Sequence, residues 1–190
     1  METYEEYEIF DAHAHIFPDK IAGLATENIG NFYDLKMRNI GNSKNLIESG
    51  KKINVSGYLV FSTATNPAQV HNINSFIAKE CEQHKEFIGL GTLHQQSDDM
   101  ERDFNQILEL NLKGIKLHPD FQKFDIDSKE AYKMYEIAEG RLPVLIHFGD
   151  RRYEYSAPKK LVQVHKDFPD LKVIAAHLGG YERWEEAQKY

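Results

Sequence analysis

Six short runs of apolar and β-branched residues recur along the chain: YEIFDAH (7–13), SGYLVFST (56–63), FIGLGTL (87–93), LKGIKLH (112–118), LPVLIHF (142–148) and LKVIAAH (171–177). Their length and composition predict strands. The stretches between them carry apolar residues three and four positions apart, which predicts helices. One is the segment 66–84, with Val70, Ile73, Ile77 and Cys81 on one stripe. Another is 100–110, with Phe104, Ile107 and Leu108. SKEAYKMYEIAE and APKKLVQVHKDF read the same way, the second with Pro158 in its first turn, where a missing N–H costs nothing. Residues 28–54, rich in Asn and Gly, read as a long first loop with some helix, placed to act as a lid.

Strand and helix alternate at intervals of roughly 25 to 40 residues, the pattern of right-handed βαβ units on a parallel sheet. The strand runs are almost continuously apolar, as required when both faces of a sheet are covered. An open doubly wound sheet would favour a Gly-rich phosphate turn after the first strand. The first strand ends instead in His-Ala-His, which favours a (β/α)8 TIM-type barrel as the architecture of this α/β chain. Only about six βα units are present, so the barrel is expected to be incomplete.

Composition narrows the picture further. With 190 residues, 41% of them hydrophobic, the chain suffices for one core, and a single domain over 1–190 is expected. The net charge is -7 without a long basic run, which argues against a grip on nucleic-acid phosphates. No apolar stretch approaches the ~20 residues of a membrane helix. The acidic N-terminus is unlike a secretory signal, and the single cysteine, Cys81, fits a reducing compartment; a cytoplasmic location is expected.

The histidines carry the chemistry. Four of the six strands end in one: His13 (with His15), His118, His147 and His177, and a fifth run is followed by His94. In a βα barrel the C-terminal strand ends form the site. Strand residues two apart point the same way, so His13 and His15 share a face with Asp11. Two such imidazoles, with His147 as a third, offer a catalytic ion three protein ligands and an open position for water.

DAHAH on the first strand, GIKLHP on the fourth, VLIHFGD on the fifth and VIAAHLGG on the sixth resemble the amidohydrolase superfamily. The resemblance is to the branch of aminocarboxymuconate semialdehyde decarboxylase and related metal-dependent hydrolases. It implies His13, His15 and His147 as metal ligands, zinc as the usual ion, and His177 as the catalytic or substrate-orienting histidine or a ligand to a second ion. The family barrel also carries an Asp at the end of an eighth strand. This chain ends before a seventh, so relative to the family it reads as C-terminally truncated, or as one completed by a second copy in a homo-oligomer.

The expected activity is a metal-dependent hydrolase that activates water on one ion to cleave an amide, ester or lactone bond. Two alternatives stand beside it: a non-oxidative decarboxylase of an unsaturated or aromatic acid, and a non-catalytic metal-binding fragment. Lys116, His118 and Arg151 are the candidates for a small, acidic substrate, Arg because its fork matches a carboxylate. The bland reading of Lys116 is a packed stem with a solvated head. Asp120 and Asp150 lie beyond their strands and would have to fold back to reach an ion. Tyr181 and Trp184 read as helix-packing residues, and His71, His84 and His165 as surface.

Overall fold

The computed structural model describes residues 7–190, an α/β chain in which every paired strand is parallel. In order the elements are β1 (Ile9–His15), α1 (Asp19–Tyr33), α2 (Ser43–Gly50), β2 (Val55–Phe61), α3 (Val70–Gln83), β3 (Phe87–Gly89), β4 (Gly91–Thr92), α4 (Met100–Glu109), β5 (Ile115–Leu117), α5 (Pro119–Gln122), α6 (Lys129–Ala138), β6 (Val144–Ile146), α7 (Pro158–Asp167), β7 (Val173–Ala175) and α8 (Trp184–Ala187). None of the described helices is long and apolar enough to cross a membrane. The residues gather into two units, one reaching to Ser62 and including Phe76–Leu90, the other made of Thr63–Ser75 and Gly91–Tyr190.

The first unit holds the sheet β1-β2-β3. Most of the expected loop at 28–54 is helical. Its Asn and Asp residues punctuate helices rather than forming a loop. Asp34 adopts the left-handed conformation that ends α1, Asn42 accepts the Asn45 N–H at 2.9 Å to start α2, and Asn54 turns left-handed into β2. Short polar side chains supply the unmet backbone partners at helix ends, so they mark boundaries as readily as loops.

The second unit holds the sheet β4-β5-β6-β7. The third expected strand is therefore two strands. Leu90 N–H still donates to Val60 O in the first sheet, whereas Gly91 N–H donates to Gly114 O in the second. A glycine stands on either side of Leu90, which makes this change of partner sterically cheap. The two-residue β4 is completed by a side chain: buried Asn74 accepts the Thr92 N–H at 2.8 Å and donates to Thr92 O at 3.2 Å. Ile115, Leu117, Val144 and Ile146 are buried in the strands; Phe104, Ile107, Met134, Tyr135 and Val164 are buried on the helices. Leu108, expected on the apolar stripe of α4, is instead exposed.

Candidate active site

In the first unit, β1 delivers His13 and His15. Three residue steps on β1, Asp11 to Ala14, match two on β2, Tyr58 to Val60, so the strand is irregular just where the histidines begin. Such an irregularity re-aims side chains. The Asp11 carboxylate accepts the His13 backbone N–H at 3.0 Å, so it braces this turn of the strand. Both imidazoles stand edge-on to Phe61, 4.9 and 4.8 Å between centroids, and 5.4 Å from each other. The expected pairing of the two rings on one face is present.

The second unit gathers Lys116, His118, Asp120, His147 and His177 from the ends of β5, β6 and β7. His118 caps the single turn of α5, its Nδ1 accepting the Phe121 N–H at 3.4 Å. Its ring is stacked between Phe121 (3.7 Å, 7°) and His147 (4.0 Å, 11°). His147 has a neighbour at each nitrogen: Nδ1 is 3.1 Å from His177 Nε2, and Nε2 lies 3.3 Å from Asp120 Oδ2 without a formed hydrogen bond. Asp120, expected to project away, is turned inward by α5 and is only 4% exposed. Pro119 at the first position of α5 and the His118 cap are the local cause, since both favour a helical turn there.

The donors of His118, Asp120 and His147 lie within 4.8 Å of one another. Two imidazoles and a carboxylate suit a divalent transition metal. Neither Asp120 carboxylate oxygen accepts a hydrogen bond from the described residues, which leaves it the capacity of a ligand. The stacking sets a condition. Parallel rings 4.0 Å apart cannot both hold one ion in their planes, so one ring turns if both ligate. His147, already directed at Asp120, needs no such turn.

Burial governs the charges here. Lys116, on an otherwise apolar β5, is 0% exposed, and burial brings its ammonium down to about 7. The solvated-head reading of this lysine is thus corrected. Burial pushes the Asp120 carboxyl up to about 7; the Asp150 carboxylate adds to the rise and the Arg152 guanidinium opposes it. His177 is held below the ordinary imidazole value by burial and then by the Lys116 charge.

The loops after β6 and β7 brace this cluster. Arg151 is exposed and its Nε lies 3.4 Å from Glu182 Oε2. The neighbouring Arg152, not singled out in the sequence, forks onto fully buried Asp150 through Nε (2.9 Å) and Nη2 (2.6 Å). Burial alone would push the Asp150 carboxyl up, but these bonds hold it below the usual carboxylate value. Tyr181 and Trp184 do more than pack a helix. Tyr181 N–H donates to Phe148 O at 2.7 Å and Tyr181 O accepts from Asp150 N–H at 2.8 Å. The Trp184 indole N–H donates to His177 O at 2.9 Å. His71 and His165 are exposed, as expected.

An amidohydrolase family model matches residues 10–189. The chain belongs to the amidohydrolase family. This is a family of hydrolases, so the fold and the buried imidazoles stand within an enzyme lineage. No curated protein matches the chain. Among solved structures, a provisionally named amidohydrolase of Staphylococcus aureus superposes with a TM-score of 0.66 at 13% identity, covering 91% of this chain and 68% of its own. An Acinetobacter baumannii protein, provisionally named a 2-pyrone-4,6-dicarboxylic acid hydrolase and crystallised with citric acid bound, gives 0.59 at 17% identity. That match covers 96% of this chain and 65% of the Acinetobacter one. The chain thus spans about two thirds of these proteins, and at such identities the likeness is one of fold.

Proposed function

We propose that the chain is the larger part of a (β/α)8-barrel, metal-dependent hydrolase acting in the cytoplasm on an amide, ester or lactone bond of a small acidic substrate. The observation that carries this reading is the family match over residues 10–189 in a chain whose strand ends bear imidazoles. His13, His15 and His147 are the proposed ligands, with zinc the ion their nitrogen donors favour. Asp120 is the carboxylate placed to join His147. When bound, the ion supplies a Lewis acid that acidifies water and polarises a carbonyl. His177 moves a proton at Nε2, Lys116 adds positive charge beside it, and His118 and Arg151 serve substrate placement.

The test is elemental analysis of the purified protein after mild zinc loading, joined to a screen of amides, esters, lactones and unsaturated acids. Stoichiometric metal and hydrolysis are the expected result, with metal uptake lost in His13→Ala, His15→Ala and His147→Ala but kept in His71→Ala. Release of CO₂ without hydrolysis would replace the hydrolase by a decarboxylase, and metal without turnover would leave a binding protein.

A further inference from the structure

We infer that Gln122 is the positioning residue of the second unit's cluster, its carboxamide a wedge between two strand ends that holds the His118–Asp120 turn against His147. The inference rests on the metal-dependent reading and names the residue that shapes the surroundings of His147.

The parallel ladder between β4 and β5 shows what Gln122 replaces. Gly91 N–H donates to Gly114 O, and Gly91 and Thr92 stand opposite Ile115 and Lys116. Continued at this register, the ladder would next join His118 N–H to Leu93 O, just as His147 N–H donates to Leu117 O on the neighbouring pair of strands. The Gln122 side chain stands between those two groups instead. Its Oε1 accepts the His118 N–H at 2.9 Å and its Nε2–H donates to Leu93 O at 2.7 Å. One carboxamide thus stands in for a peptide unit, and the chains that continue β4 and β5 separate where the site begins.

Gln122 is fixed through its backbone as well. It is 3% exposed, its N–H donates to His118 O at 2.9 Å, and its carbonyl accepts Gln95 Nε2–H at 2.6 Å. α5 is a single turn, and helices that short do not persist without outside contacts. Gln122, at its last position, ties it to two strand ends. His118 caps that turn and its ring stacks on His147 at 4.0 Å. Asp120, two residues before Gln122, is 4% exposed with Oδ2 3.3 Å from His147 Nε2. Without the wedge the strand ends would close and the turn would swing, carrying both groups off His147. Glutamine suits the place because one planar group offers both an acceptor and a donor. An ionised glutamate offers only acceptors, and methionine matches the length with no donor.

The test sets Gln122→Met and Gln122→Glu beside Asn74→Ala, which also removes a buried carboxamide but one whose partners, Thr92 and Gln106, lie outside the cluster. Two quantities are read at one pH on samples shown to be folded: histidine ring-proton NMR shifts of the metal-free protein, and zinc affinity by chelator competition. The His118 and His147 signals, set by ring stacking at 3.7 and 4.0 Å, are expected to move in Gln122→Met and to hold in Asn74→Ala. Zinc affinity should fall roughly 10–100-fold in Gln122→Met, the scale of a lost partner behind a metal ligand. It should fall less in Gln122→Glu and stay at the wild-type value in Asn74→Ala. Should Gln122→Met not fold, Gln122→Glu carries the same comparison. Wild-type ring signals in Gln122→Met, a wild-type affinity there when the wild type binds zinc, or equal losses in Asn74→Ala would each overturn the inference. A wild type that takes up no zinc would refute the metal reading, while ring signals moved in Gln122→Met and not in Asn74→Ala would keep this one standing. Zinc held equally by the wild type and both Gln122 variants, with unmoved ring signals, would do the reverse.

Discussion

His177 Nε2 lies 3.1 Å from His147 Nδ1, so one proton is shared between imidazoles that come from successive strands. The other His147 nitrogen faces Asp120, 3.3 Å away, without a hydrogen bond formed between them. His177 therefore reaches a proposed ion through His147 rather than beside it. Replacing His177 by Asn should lower kcat on the order of 10²-fold, the scale of a lost acid–base or oxyanion partner. Metal content, read by elemental analysis on the same sample, should stay near the wild-type value, whereas His147→Ala should lose both. Metal falling in step with activity in the His177 variant would make His177 a ligand.

His94 should shape the pH dependence of stability. It is 2% exposed; its Nδ1 accepts the Gln96 N–H at 3.2 Å, and the ring also bonds to the Thr65 backbone. Burial lowers its affinity for a proton, the Thr65 bond opposing this. The folded state therefore binds fewer protons than the unfolded one below the ordinary value of 6.5. The stability this residue contributes is complete above that pH and is lost as pH falls through the depressed native value. Urea unfolding between pH 7.5 and 5 should show a slope that His94→Gln reduces, and identical slopes would contradict it.

Much of this was legible from periodicity, because strand burial and helix amphipathicity print directly onto sequence. His147 and His177 stood out as polar ends of apolar runs, and Lys116 as a lone charge within one. Asp120 was missed because a residue after a strand looks solvated. The cue was Pro119 following His118, a cap and first-turn pair that turns the chain back inward. Arg151 and Arg152 are alike in sequence, and only the left-handed turn at Asp150 sets them apart, Arg152 closing onto Asp150 and Arg151 lying beside Glu182. The split of the third strand was signalled by Gly89 and Gly91 around Leu90. Nothing local reveals that Asn74 serves β4, since that pairing joins residues 18 apart.

Asn74→Ala tests that pairing. The change would strip both the donor and the acceptor that Thr92 uses, leaving a buried N–H and C=O without these bonds. Each unmet backbone group costs about 1–3 kcal/mol. The variant should lose stability on that scale in urea titration, with Asn74→Asp losing a comparable amount because a carboxylate cannot donate to Thr92 O. A loss confined to a few tenths of a kcal/mol would mean that water replaces the side chain.

Gly149→Ala should damage stability. Gly149 sits at φ 100°, a conformation that side-chain-bearing residues rarely adopt. A Cβ there would stand 2.2 Å from Tyr181 O and 2.3 Å from Tyr181 N, both backbone atoms that cannot swing aside. The same two atoms tie the loops together, through Tyr181 N–H to Phe148 O and Asp150 N–H to Tyr181 O. Backbone strain and overpacking of this kind cost about 3 kcal/mol or more in sum. For a chain of this size that corresponds to a Tm lowered by roughly 6–12 °C. A Gly149→Ala protein with the wild-type Tm would show that the close approach of Tyr181 to Gly149 is not part of the folded state.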